Sequence, residues 1–80
     1  MAKAIHSARH QRLISMLIEK RRAAGMTQAE VAKALGRHQP FIANIEKGER
    51  RVDVLELIDL AAIMGFDPSE MVADLKNAAL

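Results

Sequence analysis

The chain has no cysteine and only two aromatic residues, both phenylalanine, among its 80 residues. The lack of cysteine excludes disulfides and thiolate metal sites and fits a reducing compartment. Two aromatic rings are too few for a surface that stacks single-stranded bases. No apolar run approaches the roughly 18 to 20 residues that span a bilayer, and the charged N-terminal segment does not resemble a signal peptide. We therefore expect a soluble, cytoplasmic protein with one domain over residues 1–80.

Charge is distributed unevenly along the chain. Residues 1–51 hold 11 of the 12 lysines and arginines against four acids, a net charge of +7. Residues 52–80 hold one lysine against six acids, a net charge of −5. A surface whose charges served only solubility would mix the two signs more evenly. The asymmetry favours a basic face for a polyanion, with the acidic region turned away from it.

Helical periodicity and capping residues predict five helices and no strand, over residues 7–24, 27–36, 38–48, 53–64 and 68–79. Thr27 and Glu30 have the spacing of a capping box at the start of the second helix. The second and third helices are joined by Gly36, since glycine permits the positive φ of a tight turn between crossing helices. This spacing fits a helix-turn-helix, but it also fits any pair of packed helices.

The residues in this region resemble the Cro/C1-type (XRE-like) helix-turn-helix family of phage repressors and bacterial transcription regulators. The resemblance rests on Gln39, Ile42 and three segments: Ala-Gly-Met-Thr-Gln-Ala-Glu-Val-Ala-Lys-Ala-Leu-Gly at 24–36, Ile-Glu-Lys-Gly at 45–48 and Glu-Arg-Arg-Val-Asp-Val at 49–54. It covers roughly residues 13–64. It implies an all-α, lambda-repressor-like bundle of five helices that binds double-stranded DNA, with helices 2 and 3 as the helix-turn-helix and 68–79 as the C-terminal helix.

In this family the first turn of the third helix meets the base edges, which assigns base reading to His38, Gln39, Pro40 and Asn44. Gln39 and Asn44 each carry the donor and acceptor that can bind adenine bidentately. Gln39 could instead be a solvated helix-start residue, and Asn44 could bind only a phosphate. His38 could cap the helix, contact a base or face solvent. Pro40 departs from the polar residue common there and offers only an apolar contact.

The resemblance implies that a second set of residues contacts the DNA backbone: Gln28, Arg37, Phe41, Lys47, Arg50 and Arg51. Gln28 matches a family glutamine at the first turn of the second helix, where unpaired N–H groups also favour phosphate. Lys47, Arg50 and Arg51 are three cations within five residues, which favours phosphate contact over a merely solvated loop. Phe41 replaces a small hydroxyl residue and would pack on the sugar-phosphate edge. Arg37 has weaker support.

Other residues are expected to be structural or to lack chemistry. Arg21 and Glu46 match the family's ion pair between the first helix and the end of the third. His6 and His10 could share one helix face, but no third ligand accompanies them, so we expect no metal and no cofactor. No Ser/His/Asp set, activated cysteine, phosphate-binding glycine loop or small-molecule site is visible in the sequence. We do not expect an enzyme.

The fourth helix is apolar almost all round, so we expect it to be covered on more than one side. One stripe is expected to face inward: Val54, Leu57, Ala61 and Met64. The fifth helix is expected to cover part of the rest with Met71, Val72 and Leu75. The remaining apolar residues suggest a self-complementary dimer surface made of Leu55, Ile58, Ile63, Phe66 and Leu80. A monomer with a large apolar core is the alternative.

Taken together, these features predict a sequence-specific regulator that binds double-stranded DNA and associates with the nucleoid. The expected form is a homodimeric repressor on a palindromic operator. One alternative is an antitoxin that binds its own operator and masks a toxin partner. Another is a helical adaptor that uses the same fold for protein contacts alone and does not bind DNA.

Overall fold

The computed structural model describes residues 7–78, which form five helices and contain no strand. The helices are α1 (Ala8–Ala23), α2 (Gln28–Leu35), α3 (Gln39–Glu46), α4 (Val54–Met64) and α5 (Pro68–Lys76). α2 packs on α3 and α4, and α1 packs on α3 and α5. The expected all-α bundle of five helices is confirmed. No helix of residues 7–78 has both the length and the apolar character needed to cross a membrane.

Side-chain caps determine where the central helices begin. The Thr27 hydroxyl accepts a hydrogen bond from the Glu30 backbone N–H at 3.1 Å, and the Glu30 carboxylate accepts one from Thr27 N–H at 2.8 Å. This is the predicted capping box. Asp53 and Glu56 make the same reciprocal pair at the start of α4. Each such cap stabilises a helix by about 1 kcal/mol, which explains why the predicted starts agree with the structure.

The turn between α2 and α3 depends on glycine. Gly36 has a φ of +76°, and its N–H bonds back to the last turn of α2. A side chain would be strained in this left-handed conformation. Gly48, just after α3, has a φ of +80°, and a Cβ there would lie 3.2 Å from Ile14 Cδ1 of α1. Close packing of α1 on the end of α3 therefore adds a second requirement for glycine.

The core lies between the helices and orients α3. Ile42 and Ile45 are 3% and 2% exposed and form the inward side of α3. Ala32, with none of its surface exposed, lets α2 approach α3 closely. The opposite side of α3 is left facing solvent. The whole buried apolar set is Met16, Leu17, Val31, Ala32, Ile42, Ile45, Leu57, Leu60, Ala61, Met64 and Met71.

Two expectations about side-chain burial were wrong. Val54, the first residue of α4, is 71% exposed, and Leu60 lies inward on this helix instead. Val72 is 52% exposed, since α5 turns Met71 toward the core and the next residue lies about 100° away around the helix.

The fifth helix also ends earlier than predicted, at Lys76 and not near residue 79. Asn77 and Ala78 donate their N–H groups to carbonyls three residues back, which tightens and closes the last turn. Arg9 of α1 donates to the carbonyls of Lys76 and Ala78 at 3.4 and 3.2 Å. These bonds satisfy helix-end acceptors that a longer α5 would use itself.

Candidate nucleic-acid interface

The exposed side of α3 brings most of the predicted base-reading residues to one surface. Gln39, Pro40, Asn44 and Lys47 line a shallow depression together with Gln28 of α2. Gln39, Pro40 and Lys47 are exposed, whereas Asn44 is half-buried. The depression is open to solvent and reaches from Gln39 in the first turn of α3 to Lys47 just after the helix, so a rod-shaped ligand could lie against it.

The start of α3 presents its first residues outward. His38 is the N-cap residue by position, but its side chain makes no capping hydrogen bond, so the capping alternative for His38 is wrong. Its exposed imidazole is left to face solvent or a ligand. Pro40 lies in the first turn, where a missing N–H removes no helical hydrogen bond.

A chain of hydrogen bonds runs from α1 to the start of α3. Arg21 donates through Nε and Nη2 to the two carboxylate oxygens of Glu46, at 2.7 and 3.0 Å. Gln28 Nε2 donates to Glu46 Oε1 at 2.8 Å, and Gln39 Nε2 donates to Gln28 Oε1 at 2.7 Å. The Gln39 carbonyl oxygen and second amide hydrogen point to no protein partner within residues 7–78. These are the two groups that a bidentate contact with adenine needs.

The ion pair between Arg21 and Glu46, with which this series of hydrogen bonds begins, is largely buried. The Arg21 and Glu46 side chains are 14% and 10% exposed. Burial alone raises the pKa of Glu46, but the hydrogen bonds from Arg21 and Gln28, together with the charges of Arg21 and Arg22, outweigh it and hold this pKa below its ordinary value. Glu46 is therefore ionised at neutral pH, and it can hold Gln28 as a charge-assisted acceptor.

The three cations that follow α3 differ in whether their side chains are paired within residues 7–78. Arg50 donates through Nη1 and Nη2 to Glu56 Oε1 and Oε2, at 2.9 Å each. This bond lowers the pKa of Glu56 against the opposing effect of burial. Lys47 and Arg51 are exposed, and their side chains make no hydrogen bond or ion pair with residues 7–78. Of these three cations, Arg50 alone is already paired with a carboxylate.

Phe41 packs with two arginines. It is half-buried, and the guanidinium carbons of Arg37 and Arg50 lie 4.5 and 4.2 Å from its ring centroid. Sequence reasoning missed both this arrangement and the Arg50–Glu56 pair. A usable signal was present, because the Asp-x-x-Glu spacing at 53–56 is that of a capping box and places the Glu56 carboxylate beside the loop that carries Arg50.

The predicted dimer residues divide into two groups. Leu55 and Ile58 are 73% and 49% exposed, next to the exposed Val54. Ile63 and Phe66 are half-buried against the protein's own core. Leu80 lies outside the described residues. We call the exposed trio Val54, Leu55 and Ile58 the α4 patch.

Within the described residues, no group of three or more His, Asp or Glu side chains could hold a metal ion. His10 is buried in α1, and its predicted neighbour His6 lies outside the described range.

Two helices that cross at a glycine turn, with the second exposing a polar side, define a helix-turn-helix protein. The family model for helix-turn-helix proteins matches residues 17–71. The chain belongs to the XRE-like (Cro/C1-type) helix-turn-helix family of DNA-binding transcription regulators. The predicted resemblance is confirmed.

Relatives support the same assignment. The chain is similar to an XRE-family like protein from Pseudomonas syringae pv. tomato, with 46% identity, a TM-score of 0.82, and coverage of 90% of this chain and 88% of that one. It is 36% identical over 66 residues to an uncharacterized HTH-type transcriptional regulator of Haemophilus influenzae, covering 82% of this chain and 67% of the relative. A second such regulator, from Sinorhizobium fredii, is 36% identical over 52 residues, or 65% and 68% of the two chains.

Proposed function

We propose that this protein is a homodimeric repressor that binds a palindromic DNA operator at the nucleoid in the cytoplasm. The observation that carries the proposal is the fixed amide of Gln39 on the exposed start of α3. A side chain held by a supporting shell can discriminate between bases, because a mismatched base then leaves the amide unpaired. The hydrogen bonds that link Arg21, Glu46, Gln28 and Gln39 hold the Gln39 side chain in this way.

The surrounding residues have complementary roles in this proposal. Asn44 and Pro40 line the same depression as Gln39 and would meet neighbouring bases, with His38 at the entry of the helix. Lys47 and Arg51 are exposed and unpaired within residues 7–78, so they are the cations best placed for phosphates. Gln28 retains one amide hydrogen beyond its two bonds, which a phosphate oxygen could accept.

The α4 patch supports the homodimer. Three of the four large exposed apolar side chains of residues 7–78 lie within the first five residues of α4. Such clustering marks an interaction surface, whereas single exposed apolar residues are ordinary. A two-fold axis through this patch would pair two copies of α3, and recognition helices about 34 Å apart would enter successive turns of the major groove.

Selection from a pool of random duplexes tests this proposal. The purified protein is expected to enrich a palindrome, with half-sites one helical turn apart, and affinity for it should fall steeply with salt. Enrichment of no duplex, with no salt-dependent binding, would favour the adaptor and contradict the proposal. An antitoxin would enrich a palindrome too, and copurification with a second polypeptide would favour that alternative.

A further inference from the structure

The ring of Phe41 is a fixed platform beside the recognition surface. Phe41 lies on α3 and packs partly against the core, so its position follows that of the helix. Both neighbouring guanidinium groups lie over this ring, Arg37 at 4.5 Å and Arg50 at 4.2 Å from the centroid. Distances below about 6 Å are those of cation–π contacts, to which arginine adds planar stacking.

The two arginines differ in what their N–H groups do. Arg50 donates from Nη1 and Nη2 to the Glu56 carboxylate, and Nη1 also donates to the Arg51 carbonyl at 2.7 Å. Arg37 is exposed, and its side chain makes no hydrogen bond or ion pair with residues 7–78. Glu56 is hydrogen-bonded to Arg50 alone, although the charge of Arg37 also helps to lower the pKa of Glu56. Arg37 is therefore the arginine of the pair whose N–H donors are free within residues 7–78.

A stacked guanidinium keeps its donors available. The contact with the ring uses the flat face of the group, whereas the N–H bonds point outward in its plane. In-plane N–H pairs match the oxygens of a phosphate bidentately. Arg37 also directly precedes His38, the residue that begins α3, and therefore lies next to the proposed base-reading residues.

We propose that Phe41 is a positioning residue that presents Arg37 to a DNA phosphate beside the bases read by Gln39. Arg50, neutralised by Glu56, supports the ring and is not itself a phosphate contact. This inference rests on the proposed DNA-binding function. It reverses the order expected from sequence, in which Arg50 had the stronger support and Arg37 the weaker.

The test measures duplex affinity by fluorescence anisotropy over a range of salt concentrations. Arg37→Gln is expected to weaken binding about fivefold to tenfold and to reduce the salt slope of the dimer by roughly two, about one for the phosphate contact that each protomer loses. Phe41→Leu, which keeps an apolar side chain but removes the ring, should cause part of the same loss. In the Arg37→Gln background, Phe41→Leu should cause almost none.

Two matched variants separate the roles of the arginines. The double change Arg50→Gln with Glu56→Gln removes the paired charges without altering net charge, and it should leave the salt slope unchanged. Arg12→Gln removes one positive charge at the distant α1–α5 contact, where Arg12 pairs with Asp74, and it should also leave the slope nearly unchanged.

Arg37→Lys tests the stacking without touching the core. It keeps the charge but loses the planar group, and it should bind about threefold more weakly than the wild type. Wild-type affinity in Arg37→Lys or in folded Phe41→Leu would overturn the inference, as would full additivity of Phe41→Leu and Arg37→Gln. If the wild-type protein binds no duplex at all, both the proposed function and the present inference are wrong. Normal wild-type binding with unchanged variants refutes only the role of Phe41.

Discussion

At the scale of single residues, the orientation of Gln39 distinguishes this surface from an ordinary helix start. A glutamine in the first turn of an exposed helix usually samples several rotamers. Here its amide nitrogen donates to Gln28, which is held in turn by Glu46. The entropy of ordering Gln39 is therefore lost on folding and not on binding DNA, which favours affinity for the matching base.

Removing the Gln28 side chain should weaken base recognition even though Gln39, the proposed base contact, is still present. We expect Gln28→Ala to reduce affinity for the selected operator by about 1 kcal/mol, the typical value of one hydrogen bond. Affinity for a scrambled duplex should fall less. Anisotropy titrations with both duplexes measure the difference. Gln11→Ala, an exposed glutamine of α1, is the matched control and should change neither value.

Residue identity predicted part of this site and missed the rest. The partners Arg21 and Glu46 were assigned from family resemblance, and the structure places them at 2.7 Å. The Arg50–Glu56 pair was not predicted, because a loop cation has no fixed direction in sequence, although the capping box at 53–56 places the Glu56 carboxylate beside that loop. The contact of Phe41 with the sugar-phosphate edge, expected because it replaces a small hydroxyl residue, stays a prediction.

At the scale of helices, the Arg21–Glu46 pair joins α1 to the last turn of α3. Because both side chains are nearly buried, loss of one partner leaves the other charge without compensation. We expect Glu46→Gln to lower the free energy of unfolding by about 3 kcal/mol, near the lower end for buried pairs. Denaturant titration measures this change. Asp74→Asn breaks the exposed pair with Arg12 and should have a much smaller effect.

The same pair predicts how stability depends on pH. Glu46 has a folded-state pKa below its ordinary value of 4.5, so it contributes stability that is present above that pH and lost as pH falls through the folded pKa. The pKa of Glu56 is lowered in the same direction. The melting temperature should therefore fall below about pH 4.5. It should fall less steeply in Glu46→Gln, and equal slopes would contradict the assignment.

The bounds of the helices were largely predictable because local chemistry determines them. Capping boxes and turn glycines are short-range signals, and α2, α3 and α4 begin and end close to the predicted residues. The end of α5 was not predictable, because it depends on Arg9 binding its last carbonyls from 67 and 69 residues away in sequence. The exposure of Val54, the first residue of α4, likewise depends on tertiary packing and not on the local pattern.

At the scale of the whole molecule, the α4 patch predicts the oligomeric state. We expect Ile58→Asp to shift the protein from dimer to monomer in analytical ultracentrifugation, because a buried charge in the interface would be unpaired. The variant should also bind the operator more weakly, as each half-site then binds alone. Val72→Asp, at a similarly exposed apolar residue of α5, should remain dimeric. A monomeric wild type at micromolar concentration would contradict the proposed dimer.

The charge asymmetry along the sequence stays a prediction about how the two signs are arranged in space. The basic first part of the chain carries α2, α3 and the loop with Arg50 and Arg51, whereas the acids of residues 52–80 lie on α4 and α5 or cap their first turns. Two of these acids, Glu56 and Asp74, pair with arginines of the basic part. Phosphates would therefore approach the side of the molecule with the cations. Counting charges along the sequence predicts such a side without requiring the direction of any one side chain.

The central claim is that α3 reads bases through Gln39, and the most direct measurement compares Gln39→Ala with the wild type on the selected operator and on a scrambled duplex. We predict a loss of about 1–3 kcal/mol on the operator, little change on the scrambled duplex, and relaxed base preference at one position of each half-site. An equal loss on both duplexes would make Gln39 a backbone contact and would contradict the claim.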